Sequence, residues 1–191
     1  AVDAILGHPD IAAVSFVGST PIAKYIHGKG TANGKRVQAL GGAKNHAIIL
    51  PDADLDYAAD HLTAAAFGSA GERCMAISAA VAVGGAGDRL MDLVSRKAAD
   101  VVVGNGRDPR SEMGPVVTAA AKQRIEGLIG SGEQQGAKLL VDGRGVRVPG
   151  FEDGFFVGPT VLDHVQTSMD VYTEEIFGPV LSVVRADDVD S

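Results

Sequence analysis

LDYAADHLTAAAFGSAGERCMAISAAVAV, residues Leu55–Val83, is the stretch that decides the fold. Its first part is alanine-rich and helix-like, from Leu55 to about Gly68, with Asp54 placed to cap it. Its last part, Ile77–Val83, is a run of small and β-branched residues without clean alternation, the pattern of a strand buried on both faces. Between them lies a glycine-loosened junction, Gly68-Ser69-Ala70-Gly71-Glu72-Arg73-Cys74. Helix, junction and buried strand in that order point to an α/β protein. The junction also holds the only cysteine in 191 residues. A thiolate is the reactive form of cysteine, and a cation beside it favours that form, so Cys74 next to Arg73 is a candidate nucleophile. The alternative for a free cysteine is a small buried hydrophobe.

Working outward, the alternation continues. Ala12–Val17 is a short strand candidate that stops at Gly18-Ser19-Thr20-Pro21. Thr20 before Pro21 reads as a helix N-cap with proline in the first turn, and the helix is expected over Ile22–Lys29, ended by Gly30. Lys35–Leu40 and Asn45–Leu50 are further strands, closed by Gly41-Gly42 and Pro51-Asp52. Asp88–Asp100 is an amphipathic helix with Leu90, Leu93, Val94 and Ala98 on one stripe. Val101–Val103 is strand-like and Gly104–Pro115 is a polar loop. Thr118 starts the next helix, through Ile125, Leu128 and Ile129. Lys138–Val141, Phe155–Val161 and Val180–Val184 complete the strands, with a glycine-rich loop over Asp142–Gly154. The expected architecture is a mostly parallel sheet flanked by helices.

Bulk properties exclude several classes. The net charge of −7 and the lack of a basic block argue against a nucleic-acid binder. No apolar run approaches membrane-spanning length, and Ala1–Pro9 has neither the basic nor the apolar region of a signal peptide. A single cysteine excludes an internal disulfide framework and suits a reducing compartment such as the cytoplasm. The histidines at 8, 27, 46, 61 and 164 are scattered, and no Cys/His cluster has zinc-ligand spacing, so no metal is expected.

Four segments carry the chemistry. Phe16-Val17-Gly18-Ser19-Thr20 runs a strand into a helix N-terminus, where free N–H groups and the helix dipole suit a phosphate. Gln38-Ala39-Leu40-Gly41-Gly42-Ala43-Lys44-Asn45 has paired glycines that let a backbone approach a ligand. The third is the Cys74 junction. Thr173-Glu174-Glu175-Ile176-Phe177-Gly178-Pro179-Val180 offers acids for ribose hydroxyls and an aromatic face for a flat ring. Read singly, each is equally an ordinary turn. In this order and spacing they resemble the aldehyde dehydrogenase superfamily, over essentially the whole chain.

The resemblance implies roles at matching positions. Cys74 matches the nucleophile that attacks the aldehyde, with hydride passing to NAD and a thioester left on the sulfur. The Cys74 N–H matches half of an oxyanion hole. Gly18 and Ser19 match the pyrophosphate contact, Leu40 a contact near the nicotinamide, Glu175 the holder of the nicotinamide ribose, and Phe177 a residue packed beside it. One position departs from the common pattern. Hydrolytic members carry a glutamate before Leu-Gly-Gly as general base, and here that position is Ala39. A general base is worth about 100- to 10,000-fold, so hydrolysis of the thioester is expected to be slow. This departure, with Leu-Gly-Gly-Ala-Lys-Asn-His and Gly-Glu-Arg-Cys-Met-Ala, resembles the CoA-acylating methylmalonate-semialdehyde dehydrogenase branch, which serves valine degradation. There coenzyme A takes the acyl group as co-substrate, and Arg73 becomes a candidate holder of the substrate carboxylate. Glu72 stands where the branch more often has glutamine and is given no role.

The resemblance further implies a longer, homo-oligomeric parent. A second oxyanion donor, an asparagine, and a ribose-binding lysine are expected upstream of Ala1. Residues 1–42 are then a C-terminal stub of a Rossmann-like NAD-binding domain, and residues 43–191 a truncated catalytic domain that alone turns over little. The competing readings are a hydrolytic aldehyde dehydrogenase whose base lies elsewhere and a non-catalytic structural domain.

Overall fold

The computed structural model describes residues 1–191 and divides into two compact units, Ala1–Ala43 and Lys44–Ser191. The first unit begins with α1 (Val2–Gly7), absent from the sequence reading, followed by β1 (Ala13–Val17), α2 (Thr20–Ala32) and β2 (Arg36–Leu40). The two strands pair in parallel, from Ala13 opposite Arg36 to Val17 opposite Leu40. A right-handed β-α-β crossover is the usual way to join neighbouring parallel strands. The buried Lys35 holds the entry to β2 by donating to the carbonyls of His8 at 2.5 Å and Ile11 at 2.6 Å.

The α2 start differs from expectation by one residue. Ser19 is the N-cap and Thr20 the first helical residue. The Thr20 hydroxyl instead accepts the Gly42 N–H at 3.1 Å. The helix also continues through Gly30, which is buried against Val37, and ends at Ala32.

The second unit is a five-stranded sheet in the order β3 (Asn45–Ile49), β4 (Ile77–Val83), β7 (Val180–Ala186), β6 (Thr160–Asp163), β5 (Lys138–Val141). Every pairing is parallel except β5 with β6. Helices α3 (Leu55–Phe67), α4 (Gly87–Asp100) and α5 (Ala119–Gln134) flank it, with a short α6 (Asp170–Thr173) before β7. Asp54 caps α3 by accepting the Tyr57 N–H, and Thr118 caps α5 by accepting the Ala121 N–H. The apolar stripe of α4 buries Leu90, Met91, Val94 and Ala98. With Phe67, Ile125, Ile129, Leu162 and Leu181 they form one continuous core. Each large side chain buried this way contributes about 1.5–3 kcal/mol. The central strand β7 buries Val180–Val183, and β4 buries Ala79, Ala80, Ala82 and Val83, in keeping with its uninterrupted small-residue pattern.

The expected strand over Phe155–Val161 is displaced to Thr160–Asp163. Pro159 has no N–H for a ladder, and the Gly158 N–H is used by the Gly143 carbonyl at 2.8 Å. Phe156 and Val157 are buried as irregular chain. Val101–Val103 forms no strand, only a single bridge from Val103 to Met113. At the other end of β6, the Asp163 carboxylate is buried yet takes two hydrogen bonds from the Arg185 guanidinium, at 2.8 and 2.7 Å. Burial pushes this carboxyl up, but the Arg185 bonds and the His164 N–H outweigh it and hold it below its ordinary range.

Candidate active site

The chain leaves α3 through a strained turn. Ser69 and Ala70 have φ of 54° and 53°, and Gly71 follows at 67°. Left-handed geometry costs an L-residue roughly 1–2 kcal/mol, so surrounding contacts must hold this turn. Arg73 supplies two of them. Its Nη2 donates to the carbonyls of Ala64 at 3.1 Å and Ala65 at 3.0 Å, the last turn of α3, where a cation also meets the negative end of the helix dipole. Glu72 accepts the Val117 N–H at 3.2 Å. The chain then turns again, closed by the Ala76 N–H donating to the Arg73 carbonyl at 3.0 Å, and Cys74 lies within that turn. Its thiol is free and exposed. The buried-hydrophobe reading of Cys74 therefore does not hold in this fold.

The Glu174–Pro179 segment is held by two cations. Lys44 Nζ donates to the carbonyls of Val171 at 2.6 Å and Glu174 at 2.9 Å. Arg124, on α5, donates to the carbonyls of Glu175 and Ile176, both at 2.7 Å. Burial lowers the Lys44 ammonium to about 8, opposed by Glu175 and Glu174 and assisted by Arg124. Ile176 is buried, Glu175 is half-buried with no hydrogen-bonded partner on its carboxylate, and Phe177 is 43% exposed with φ of 52°. The two segments meet backbone to backbone. A Cβ on Gly71 would lie 2.1 Å from the Gly178 carbonyl oxygen, so only glycine permits this approach. The structure thus brings Gly71, three residues before Cys74, against Gly178, the residue after Phe177.

In the first unit, Gly18, Ser19 and Leu40 share one end of the β1–β2 sheet, with the Gly18 N–H donating to the Leu40 carbonyl at 3.1 Å. The Ser19 hydroxyl makes no capping bond at the start of the 13-residue α2. Ala39 occupies β2, half-buried, and brings no titratable group. Three residues that the sequence reading gave no role also shape the site: Lys44, Arg124 and Asn45. The Asn45 amide donates to the carbonyls of Cys74 at 2.7 Å and Ala76 at 3.0 Å. Lys44 and Asn45 stand in the Leu-Gly-Gly segment quoted above, but their targets lie 127 and 29 residues away. No local spacing encodes such pairs.

The mostly parallel α/β unit flanked by helices is the fold of an aldehyde dehydrogenase. The sequence profile of the aldehyde dehydrogenase family matches residues 1–191, and the chain belongs to that family. It is 54% identical to malonate-semialdehyde dehydrogenase of Pseudomonas aeruginosa, over all of this chain and 38% of that protein. To the mitochondrial methylmalonate-semialdehyde/malonate-semialdehyde dehydrogenase [acylating] of Rattus norvegicus it is 50% identical, over all of this chain and 35% of that one. Among solved structures, one described as a methylmalonate-semialdehyde dehydrogenase of Sinorhizobium meliloti 1021, complexed with NAD, superposes with a TM-score of 0.97 at 58% identity. The match covers 99% of this chain and 39% of that one. The chain therefore spans well under half the length of these relatives.

Proposed function

We propose that the protein bearing this chain is an NAD-dependent, CoA-acylating dehydrogenase of methylmalonate or malonate semialdehyde. The observation that carries this is the exposed Cys74 thiol, three residues after Gly71, whose backbone lies against Gly178 at the end of the Glu175–Phe177 segment. The residues present fit NAD. The Ser19 hydroxyl is uncommitted at a helix N-terminus that suits a pyrophosphate, and the Glu175 carboxylate has no partner within the chain. NAD supplies the hydride acceptor. Gly18, Ser19, Leu40, Glu175 and Phe177 are its proposed contacts.

The chain's own residues do the rest. The Cys74 thiolate adds to the aldehyde carbon, and the Cys74 N–H, which has no partner within the chain, donates to the oxyanion that forms. Loss of hydride leaves the acyl group on sulfur as a thioester. Ala39 cannot activate water. The thiolate of coenzyme A then attacks the thioester carbon, and Cys74 leaves as thiolate, ready for a second cycle. Arg73 has Nη2 committed to α3, while Nε and Nη1 make no hydrogen bond and are the nitrogens proposed for a substrate carboxylate.

Product analysis tests this reading. Acyl-CoA should form in a CoA-dependent reaction, and free acid produced at the same rate without CoA would refute it. Changing Ala39→Glu should raise the hydrolytic rate by about 10-fold or more if the missing base is what makes water a poor acceptor.

A further inference from the structure

The two halves of the site are tied down by neighbouring residues. Lys44 immediately precedes β3 and Asn45 opens it. Successive side chains of an extended segment point to opposite sides. Lys44 reaches the carbonyls of Val171 and Glu174, and Asn45 reaches those of Cys74 and Ala76. The β3–β4 register shifts between Asn45 and His46, with Asn45 opposite Ile77 and His46 opposite Ala79. This bulge leaves Ser78 extra on β4 and sets Asn45 beside the turn that precedes that strand.

The hydrogen bonds fall on the peptides that matter. The peptide preceding the Cys74 side chain carries the Cys74 N–H, and its orientation is fixed by the Ala76 N–H donating to the Arg73 carbonyl. The peptide following it is fixed at its carbonyl by Asn45. A carboxamide nitrogen has two protons, and here each has one carbonyl to meet. The thiol is free and exposed. On the other side, Lys44 holds the backbone at Glu174, next to Glu175.

We propose that Lys44 and Asn45 are a positioning pair: Asn45 aims the Cys74 turn, and Lys44 sets the segment that presents Glu175. This rests on Cys74 as the nucleophile and Glu175 as the ribose contact. The two roles divide. Losing the Asn45 donors frees the nucleophile turn, and a misplacement of about 1 Å costs on the order of 100-fold in rate. Losing Lys44 loosens the Glu175 segment and weakens cofactor binding with less effect on the thiol.

The test compares kinetics and iodoacetamide inactivation of Cys74 in the full protein and its variants. Asn45→Asp removes the donors at constant volume and Asn45→Ala truncates the side chain. Either one, folded, carries the test. We expect kcat and the alkylation rate to fall by about 10- to 100-fold, with KM for NAD within about twofold. Lys44→Met should raise KM for NAD by about 5- to 10-fold with alkylation within about twofold, and Lys44→Arg should restore most of it. The pair is refuted if the Asn45 variants alkylate and turn over like wild type, or if both substitutions depress both readouts in parallel, as a general loss of packing would. A Cys74→Ala protein that keeps dehydrogenase activity would refute the nucleophile assignment itself, and the pair with it. Activity that depends on Cys74 but not on Asn45 would refute the pair alone.

Discussion

Lys44 shows how a buried cation can serve structure at a cost that depends on pH. Its ammonium satisfies two backbone carbonyls but is largely removed from water, which lowers its folded-state pKa to about 8 from the 10.5 of a free lysine. Between these values the unfolded chain binds more protons than the folded one, so stability rises with pH there. Below about 8 both states are protonated, the full cost of burying the charge is present, and the contribution is flat. The neutral amine keeps two protons for its two carbonyls, so its hydrogen bonds survive the change. Urea unfolding of wild type and Lys44→Met at about pH 7, below the window, and about pH 9.5, inside it, should show wild type gaining relative to the variant at the higher pH. Parallel pH profiles for the two proteins would contradict the burial argument. Arg73 teaches a related point. In the sequence it reads as a charge for the thiol or the substrate, whereas in the fold one of its nitrogens first closes the end of α3.

At the scale of elements, the junction after α3 is the part under strain. Two non-glycine residues in left-handed geometry, Ser69 and Ala70, are followed by Gly71, whose lack of a Cβ allows contact with the Gly178 backbone. Strain of this kind persists only when neighbouring contacts over-determine it. Here Arg73, Glu72 and Asn45 supply those contacts, to α3, to Val117 ahead of α5, and from β3. Gly71→Ala adds a methyl group where no space exists and where φ is 67°. The two segments must then separate. We expect a loss of about 3 kcal/mol or more in unfolding free energy, and a fall in Cys74 alkylation beyond what the loss of stability explains. A Gly71→Ala protein with wild-type stability and thiol reactivity would show that the close approach is dispensable. Gly87 makes a similar approach at the start of α4, where a Cβ would collide with the Arg185 guanidinium that grips Asp163.

For the whole molecule, the two units differ sharply in what they can bury. The continuous core lies entirely within Lys44–Ser191. The first unit buries only Leu6, Ala23 and Ile26 among its apolar side chains. Chains near about 40 residues rarely fold without a staple, and this one has none. Residues 44–191 expressed alone should therefore unfold cooperatively in urea, whereas residues 1–43 alone should give the circular dichroism of a disordered chain. A cooperative transition from the short fragment would overturn that account. The α/β class, nearly all the strands and long helices, the Asp54 and Thr118 caps and the family were legible from the residues, because periodicity, capping and turn chemistry are local. Motif order then singled out Cys74, Glu175 and Phe177 as candidates. What local signals misplace is instructive. Pro159 has no N–H for the ladder and the Gly158 N–H is taken by Gly143, which shifts β6, while the Thr20 hydroxyl serves the Gly42 turn instead of capping α2; the partners lie well outside any local window. The same reason separates the two kinds of knowledge about the site. The sequence by itself determined the fold class, the family and Cys74 as the candidate nucleophile. Only the tertiary structure decided that Cys74 is exposed just after a strained turn, that Gly71 lies against Gly178, and that Lys44, Asn45 and Arg124 hold these segments, because those contacts join residues up to 130 positions apart.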